Sequence, residues 1–220
     1  MTFDSKIFLR VFSSTNSAFV QIRDNEEKYF AQSVGILLFT MFLVGMIYVP
    51  IYLLVASDPQ TSISMAFESG DLSSPGEIIG SLVTSLASEV IFIFVLFFIG
   101  KHLGGTANWK KVFCVVCHSY VIYIPVIASI VAVAFVVFFV AMDARAQGDG
   151  FDFTEEYFLT VIGLPLVAMI VVMLVFAIWG IVAIVKATKI VNDYGTLKAI
   201  GVLILSGIAA TIIQALLGLL

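Results

Sequence analysis

The chain has 220 residues, of which 61% are hydrophobic and only 12% charged. A soluble domain averages roughly 45–50% apolar and about 25% charged residues. That contrast, with a mean hydropathy of +1.12, excludes a disordered chain and a water-soluble enzyme. It also excludes a nucleic-acid binder, which needs a strongly basic face.

In chain order, residues 1–31 come first and predict an amphipathic helical segment. Asp4 is placed to cap a helix that carries Ile7, Phe8, Val11 and Phe12 at helical spacing. Ser13, Ser14, Thr15 and Asn16 interrupt it, and Ala18, Phe19 and Ile22 begin a second short helix. Such a segment either lies in the membrane interface or packs under the bundle, since both share one periodicity. Asp24 with Glu27 three residues on reads as a capping box opening the first long helix.

Residues 32–220 predict a membrane domain. A spanning helix needs about 20 mostly apolar residues. Five stretches qualify, at about 32–56, 79–99, 112–142, 157–185 and 197–219. Continuous apolar runs exclude an outer-membrane barrel, whose strands alternate in polarity. The fold class is therefore an all-α integral membrane protein, a bundle of five transmembrane helices with a short interfacial N-terminal helical segment. Pro50, Pro125 and Pro165 fall within three of these stretches and predict kinks. The loop at 57–78 has room for a short helix near 62–67. The acidic loop at 143–156 lacks the spacing of a calcium loop and reads as solvated.

Lysine and arginine alternate along the chain. The segment before the first span and the five that follow carry 4, 0, 3, 1, 3 and 0 of them. The positive-inside rule then places the N-terminus in the cytoplasm and the C-terminus outside. Acids follow the opposite pattern, giving the outer loops a net −8 and the inner segments +5. The start of the chain has no cleavable signal pattern, so the first span is expected to act as an uncleaved anchor. The expected location is the cell membrane of a prokaryote.

Three constellations invite a chemical reading. Cys114, Cys117 and His118 match the C-x-x-C-H pattern of covalent haem attachment. Their place at the cytoplasmic end of a helix, and the scarcity of further histidine, argue against haem, and a four-ligand zinc site lacks ligands. No cofactor, metal or catalytic residue is expected. Glu89 is the one acid deep within a span, with Ser81, Ser85 and Ser88 on or beside its helical face. It reads either as a proton or cation site or as a hydrogen-bonded pin between helices, with His118 and Tyr120 at matching depth. Gly207, Thr211, Ala215 and Gly218 form a stripe of small residues in the last span. It is expected to pack within the bundle.

Two inner loops carry a resemblance. The first runs from Gly100 through Lys101, Gly104, Gly105, Trp109, Lys110 and Lys111 to Phe113, leading to Tyr120 and Pro125. The second runs from Trp179 and Gly180 through Lys186, Lys189, Tyr194 and Gly195 to Lys198 and Ala199. With five spans between an inner N-terminus and an outer C-terminus, the chain resembles the Yip-one domain family of Ypt/Rab-interacting membrane proteins and their prokaryotic relatives. Its short N-terminal segment is similar to that of archaeal or bacterial members. The resemblance implies a non-enzymatic membrane scaffold or adaptor without catalytic residues. It would bind partner proteins or anionic lipid heads through Lys101, Gly104, Gly105, Lys110, Lys111, Lys186, Lys189 and Lys198, and would not bind nucleic acid. The competing expectation is a small transporter or channel built around Glu89, Ser81, Ser85, Ser88 and His118.

Overall fold

The computed structural model describes residues 4–57, 75–146 and 163–218. Every regular element among them is helical. Two short helices, α1 (Ser5–Ser13) and α2 (Thr15–Asp24), precede α3 (Glu26–Ser57) and α4 (Pro75–His102). Next come α5 (Trp109–Ser119), a 3-10 turn (Tyr120–Tyr123) and α6 (Ile124–Ala146). The last two helices are α7 (Leu164–Asn192) and α8 (Thr196–Leu216). Five segments are long and apolar enough to cross a membrane, the third being Trp109–Val140 across the α5–α6 break. The chain is thus a multi-pass, all-helical membrane protein. The expected helix near 62–67 and the acidic stretch from 147 to 156 lie outside the described residues.

The chain divides into two compact units. One comprises Met1–Thr40, Val83–Tyr123 and Ala177–Leu220; the other comprises Met41–Leu82 and Ile124–Phe176.

The first unit is built around α5. Residues 112–119 of this helix are all buried, polar and apolar alike. A helix buried on every side must be covered on every side. Helices α1 and α2 supply part of that cover, both packing on α5. Their periodic residues Ile7, Val11, Ala18, Phe19 and Ile22 are at most 1% exposed. The N-terminal segment is therefore a packed part of this unit. Asp4 caps α1 by accepting the Ile7 N–H at 3.3 Å. In the same unit, α7 and α8 bury small residues, Ala183, Ala187, Ala199 and Ala210. Small side chains let helix backbones approach closely where lipid supplies no hydrophobic drive.

Gly180 shows how close the approach becomes. A Cβ at this position would fall within the ring of Tyr123. The aromatic side chain thus lies against bare α7 backbone.

In the second unit Gly45 of α3 makes room for Leu82 of α4, whose Cδ1 lies 2.9 Å from the position of a Gly45 Cβ. Pro50 sits within α3. Pro125 does not sit mid-helix. The chain tightens into the 3-10 turn before it and restarts as α6, with Pro125 as the second residue. A proline lacks the N–H for the helix ladder and collides with the carbonyl four residues back, a conflict that vanishes in a first turn. Pro125 therefore opens a helix and does not kink one, while Pro165 is the second residue of α7, just after the undescribed stretch from 147 to 162.

Two further expectations change. α7 continues past residue 185 to Asn192, carrying Lys186 and Lys189 as helical residues. Cations are favoured at a helix C-terminus. The small-residue stripe of α8 does not pack within the described chain. Thr211, Ala215 and Gly218 are exposed, and nothing lies within 4 Å of a Cβ built on Gly207. The buried face of α8 is Ala199, Val202, Ser206 and Ala210 instead. Spacing of four marks a close-packing surface only if the helix turns that way.

Replacing Gly180 by Ala should destabilise the fold by roughly 1–3 kcal/mol, as overpacking does. The same change in a Tyr123→Ala background should cost far less. Thermal unfolding of the four proteins by circular dichroism gives the coupling, and equal costs in both backgrounds would contradict the contact.

Candidate functional site

The structure gathers the basic loops and the N-terminal helices into one interlocked end of the first unit. The α7–α8 turn is its centre. α7 ends with Asp193 in the left-handed region at φ 56°. The Tyr194 N–H then reaches back to the Lys189 carbonyl at 2.9 Å, closing the helix end. Glycine usually takes this place, because a Cβ strains the left-handed backbone. Here the Asp193 side chain is held from two sides. Arg23 of α2 donates to its Oδ1 at 2.8 Å and the Thr106 hydroxyl donates to its Oδ2 at 3.0 Å. Arg23 also donates to the Ile190 carbonyl at 2.9 Å, satisfying an end group of α7. Its hydrogen bond to Asp24, together with Asp193, raises the guanidinium above its ordinary value.

The α4–α5 loop is held by the same turn. Gly104 adopts φ 82°, which favours glycine. Gly105 donates to the Gly100 carbonyl at 2.9 Å. The Tyr194 hydroxyl also donates to the Gly100 carbonyl. A Cβ on Gly105 would meet the Tyr194 hydroxyl at 2.8 Å and the Gly100 carbonyl at 2.9 Å, and would overlap Asn192. The two glycines therefore have different reasons: one needs the backbone region, the other needs the absence of a side chain.

A second set of links joins this loop to α3. Asn108 caps α5 by accepting the Lys111 N–H at 2.8 Å, and its amide reaches Glu26 at 3.3 Å. Lys110 pairs with Glu27 at 2.7 Å. The expected capping box of Asp24 and Glu27 does not form. Asp24 ends α2 and pairs with Arg23, Glu27 pairs with Lys110, and α3 starts only at Glu26. Trp109 lies edge-on to Phe94 and Phe97 at 5.4 and 6.1 Å and tilted against Phe113 at 5.8 Å. Such an aromatic group suits the membrane–water boundary.

The remaining lysines stand differently. Lys101 lies 5.7 Å from the Phe97 ring centre and Lys198 lies 4.4 Å from that of Tyr194. Lys189 donates to the Thr196 hydroxyl at 3.3 Å. Among the described residues, Lys111 and Lys186 have no ion-pair partner.

Asp4 ties the start of the chain to α3. It accepts from the Tyr29 hydroxyl at 3.1 Å and from Lys28 at 3.4 Å, and its N–H reaches Gln32 at 3.4 Å. Desolvation pushes the Asp4 carboxyl up, but the hydrogen bonds from Ile7, Tyr29 and Lys28 outweigh it and hold the group below its ordinary value. The stability it contributes is complete above the ordinary carboxylate value and is lost as pH falls through the depressed one.

Deeper in the first unit two polar pairs cross between helices. The Tyr120 hydroxyl donates to Glu89 at 2.5 Å. His118 is not a partner of Glu89. Its Nδ1 lies 2.8 Å from the Cys114 carbonyl and 3.2 Å from the Ser33 hydroxyl of α3, with the Tyr29 ring edge-on at 5.9 Å. The carbonyl fixes Nδ1 as the protonated nitrogen. Nε2 is buried without a partner among the described residues. Ser88 contributes its carbonyl to Gln214 of α8 at 3.1 Å. Ser85 lies half-buried one turn before Glu89, and Ser81 belongs to the other unit. Cys114 and Cys117 are buried free thiols within α5. Cys114 points to the Glu26 carbonyl at 3.6 Å, so the C-x-x-C-H residues diverge.

Arg23, Thr106, Asn192 and Asp193 organise this end, yet none stood out in the sequence. Only the turn-forming run of Asn192, Asp193 and Gly195 signalled a fixed turn there.

Gly105→Ala should lower stability by about 1–3 kcal/mol through overpacking. It should do more damage than Gly104→Ala, whose cost is backbone strain of roughly 1–2 kcal/mol. Thermal midpoints in detergent decide this, and a Gly105→Ala variant as stable as the parent would contradict the packing described.

No curated protein and no solved structure matches this chain. The Yip1 domain matches residues 9–218, from within α1 to just past α8. That match takes in both glycine-bearing loops, the interrupted third span and the α7–α8 turn, and the chain belongs to the Yip1 domain family.

Proposed function

We propose that this protein is a non-enzymatic membrane adaptor that works through its basic end. In this reading that end faces the cytoplasm of a prokaryotic cell, with the C-terminus outside. The observation that supports it most is the interlocking of α2, the start of α3 and both basic loops through Arg23, Asp193, Thr106 and the Lys110–Glu27 pair. Three chain segments far apart in sequence form one ordered surface carrying a net positive charge. A surface of this kind suits recognition of partner proteins or anionic lipid heads. Nothing in it resembles a nucleophile–base pair or an oxyanion site.

The Glu89–Tyr120 pair fits the adaptor better than a transporter. An ionisable group within a span is costly and is tolerated when it faces a partner. Here the partner is one phenol, supplied by the turn that breaks the third span. This makes Glu89 a pin between α4 and that turn.

Glu89→Gln keeps similar volume and polarity and should leave folding and partner binding nearly unchanged. Purified protein in liposomes should show no pH-dependent flux, with or without the substitution. Flux abolished by Glu89→Gln in an otherwise folded protein would replace the adaptor with a transporter. For orientation, cysteines placed at Ser74 and Gly148 should label from outside intact cells, and one at Thr106 should not. Labelling at Thr106 would invert the topology.

A further inference from the structure

A cleft of about 630 Å³ runs between α2 and the α7–α8 pair, wholly within the first unit. Its size falls in the range of about 300–1,000 Å³ typical of ligand sites. Its walls are largely apolar, with Val20 of α2, Ile181 and Val182 of α7, and Ile200 of α8. Lys186 and Lys189 are part of the same lining, which contains no acid. Lys186 also lines a neighbouring cleft of about 390 Å³ with Ser13, Ser14 and Trp179.

We propose that this cleft binds one anionic phospholipid, with an acyl chain along the α7–α8 face and the phosphate on Lys186 and Lys189. The inference rests on the adaptor reading and names one of its partners.

Three observations select this occupant. The first is charge complementarity. The nearby acids are already engaged, Asp193 by Arg23 and Thr106 and Asp24 by Arg23. Lys186 lacks an ion-pair partner among the described residues, and Lys189 reaches only a hydroxyl. Two cations remain for an anion from outside.

The second is continuity with the surface that faces lipid. Ile178 and Ile181 on α7 and Ile204 and Ile208 on α8 are all more than half exposed. An acyl chain in the cleft extends that apolar face, whereas a soluble peptide would meet bilayer along one side.

The third is depth. Lys186 and Lys189 lie within the last two turns of α7, beyond Trp179. Tryptophan marks the headgroup level and lysines reach the phosphates from there. An apolar cleft with cations at this height matches a molecule with an apolar chain and an anionic head.

The test uses the full-length protein in detergent, titrated with phosphatidylglycerol or phosphatidylcholine and read by native mass spectrometry and thermal midpoint. Phosphatidylglycerol should be retained and should raise the midpoint, while phosphatidylcholine should do neither. Each lysine near an anionic head is worth about 1 kcal/mol, so Lys186→Gln with Lys189→Gln should weaken phosphatidylglycerol binding roughly 30-fold. Lys101→Gln with Lys198→Gln, equal in charge but outside the cleft, should leave it unchanged. Val182→Trp should also weaken binding, by filling the cleft without altering charge.

Equal loss from both lysine pairs would overturn the site in favour of general surface attraction. Equal binding of phosphatidylcholine would reduce it to ordinary lipid contact. Full competition by soluble glycerol phosphate would show a phosphate site without acyl recognition, and would overturn the proposal too. Displacement of the lipid by a basic-end partner protein with no effect from the lysine changes would assign the cleft to protein. These outcomes stand apart from liposome flux, which tests the adaptor reading alone.

Discussion

Helix α5 has no free face, and the organisation of its unit follows from that. It is short, and eight consecutive residues, 112–119, are buried. A membrane-spanning neighbour covers a helix only along one stripe. The rest of the cover at this end comes from α1 and α2, whose apolar faces are consumed by α5. This is why a segment with the composition of an interfacial helix packs as an integral element. Covering α5 also draws the start of the chain toward the loops at both of its flanks. Arg23 can then reach the α7–α8 turn, and Asp4 can reach Tyr29.

The loops at this end hold their shape through backbone constraints more than through charge. Exposed ion pairs contribute about 0–1 kcal/mol each, and Arg23–Asp193 and Lys110–Glu27 both involve exposed carboxylates. The stronger restraints are geometric. Gly104 occupies a backbone region that other residues avoid, and Gly105 leaves space that Tyr194 and Asn192 fill. Asp193 holds a strained conformation because two donors grip its carboxylate. A rigid basic surface results, with charges at fixed positions. Among the lysines without an ion-pair partner in the described residues, Lys186 and Lys189 border the α2–α7–α8 cleft. Rigidity and unspent charge at the same end are what an adaptor requires, since a preorganised surface loses less entropy on binding.

The membrane class, the helical periodicity of Ile7, Val11, Phe19 and Ile22, and the Asp4 cap were legible because they depend on local sequence. Interactions that depend on helix rotation or on distant partners were not. Depth along the membrane made His118 and Tyr120 equal candidates for Glu89, but the 3-10 turn before Pro125 presents Tyr120 to Glu89 while His118, still in α5, reaches Ser33. The spacing of Gly207, Thr211 and Ala215 reads identically whether the stripe faces helices or lipid, and it faces outward. Asp24 and Glu27 have capping-box spacing, yet both are taken by cations, the adjacent Arg23 and the distant Lys110. Arg23 looked like one more inner-loop charge. Its role comes from a partner 170 positions away in the chain.

Cys114 and Cys117 sit in α5 and report on its cover directly, since both are buried free thiols. The measurement is their rate of reaction with a small thiol reagent in the intact, folded protein and in a Val11→Asp variant. Val11 is fully buried in α1, a helix that packs against α2 and α5. Reaction should be slow in the intact protein and much faster in the variant, with helical content retained. Fast reaction of both cysteines in the intact protein would mean that α5 is not enclosed by α1 and α2, and that the basic end is not built on its cover.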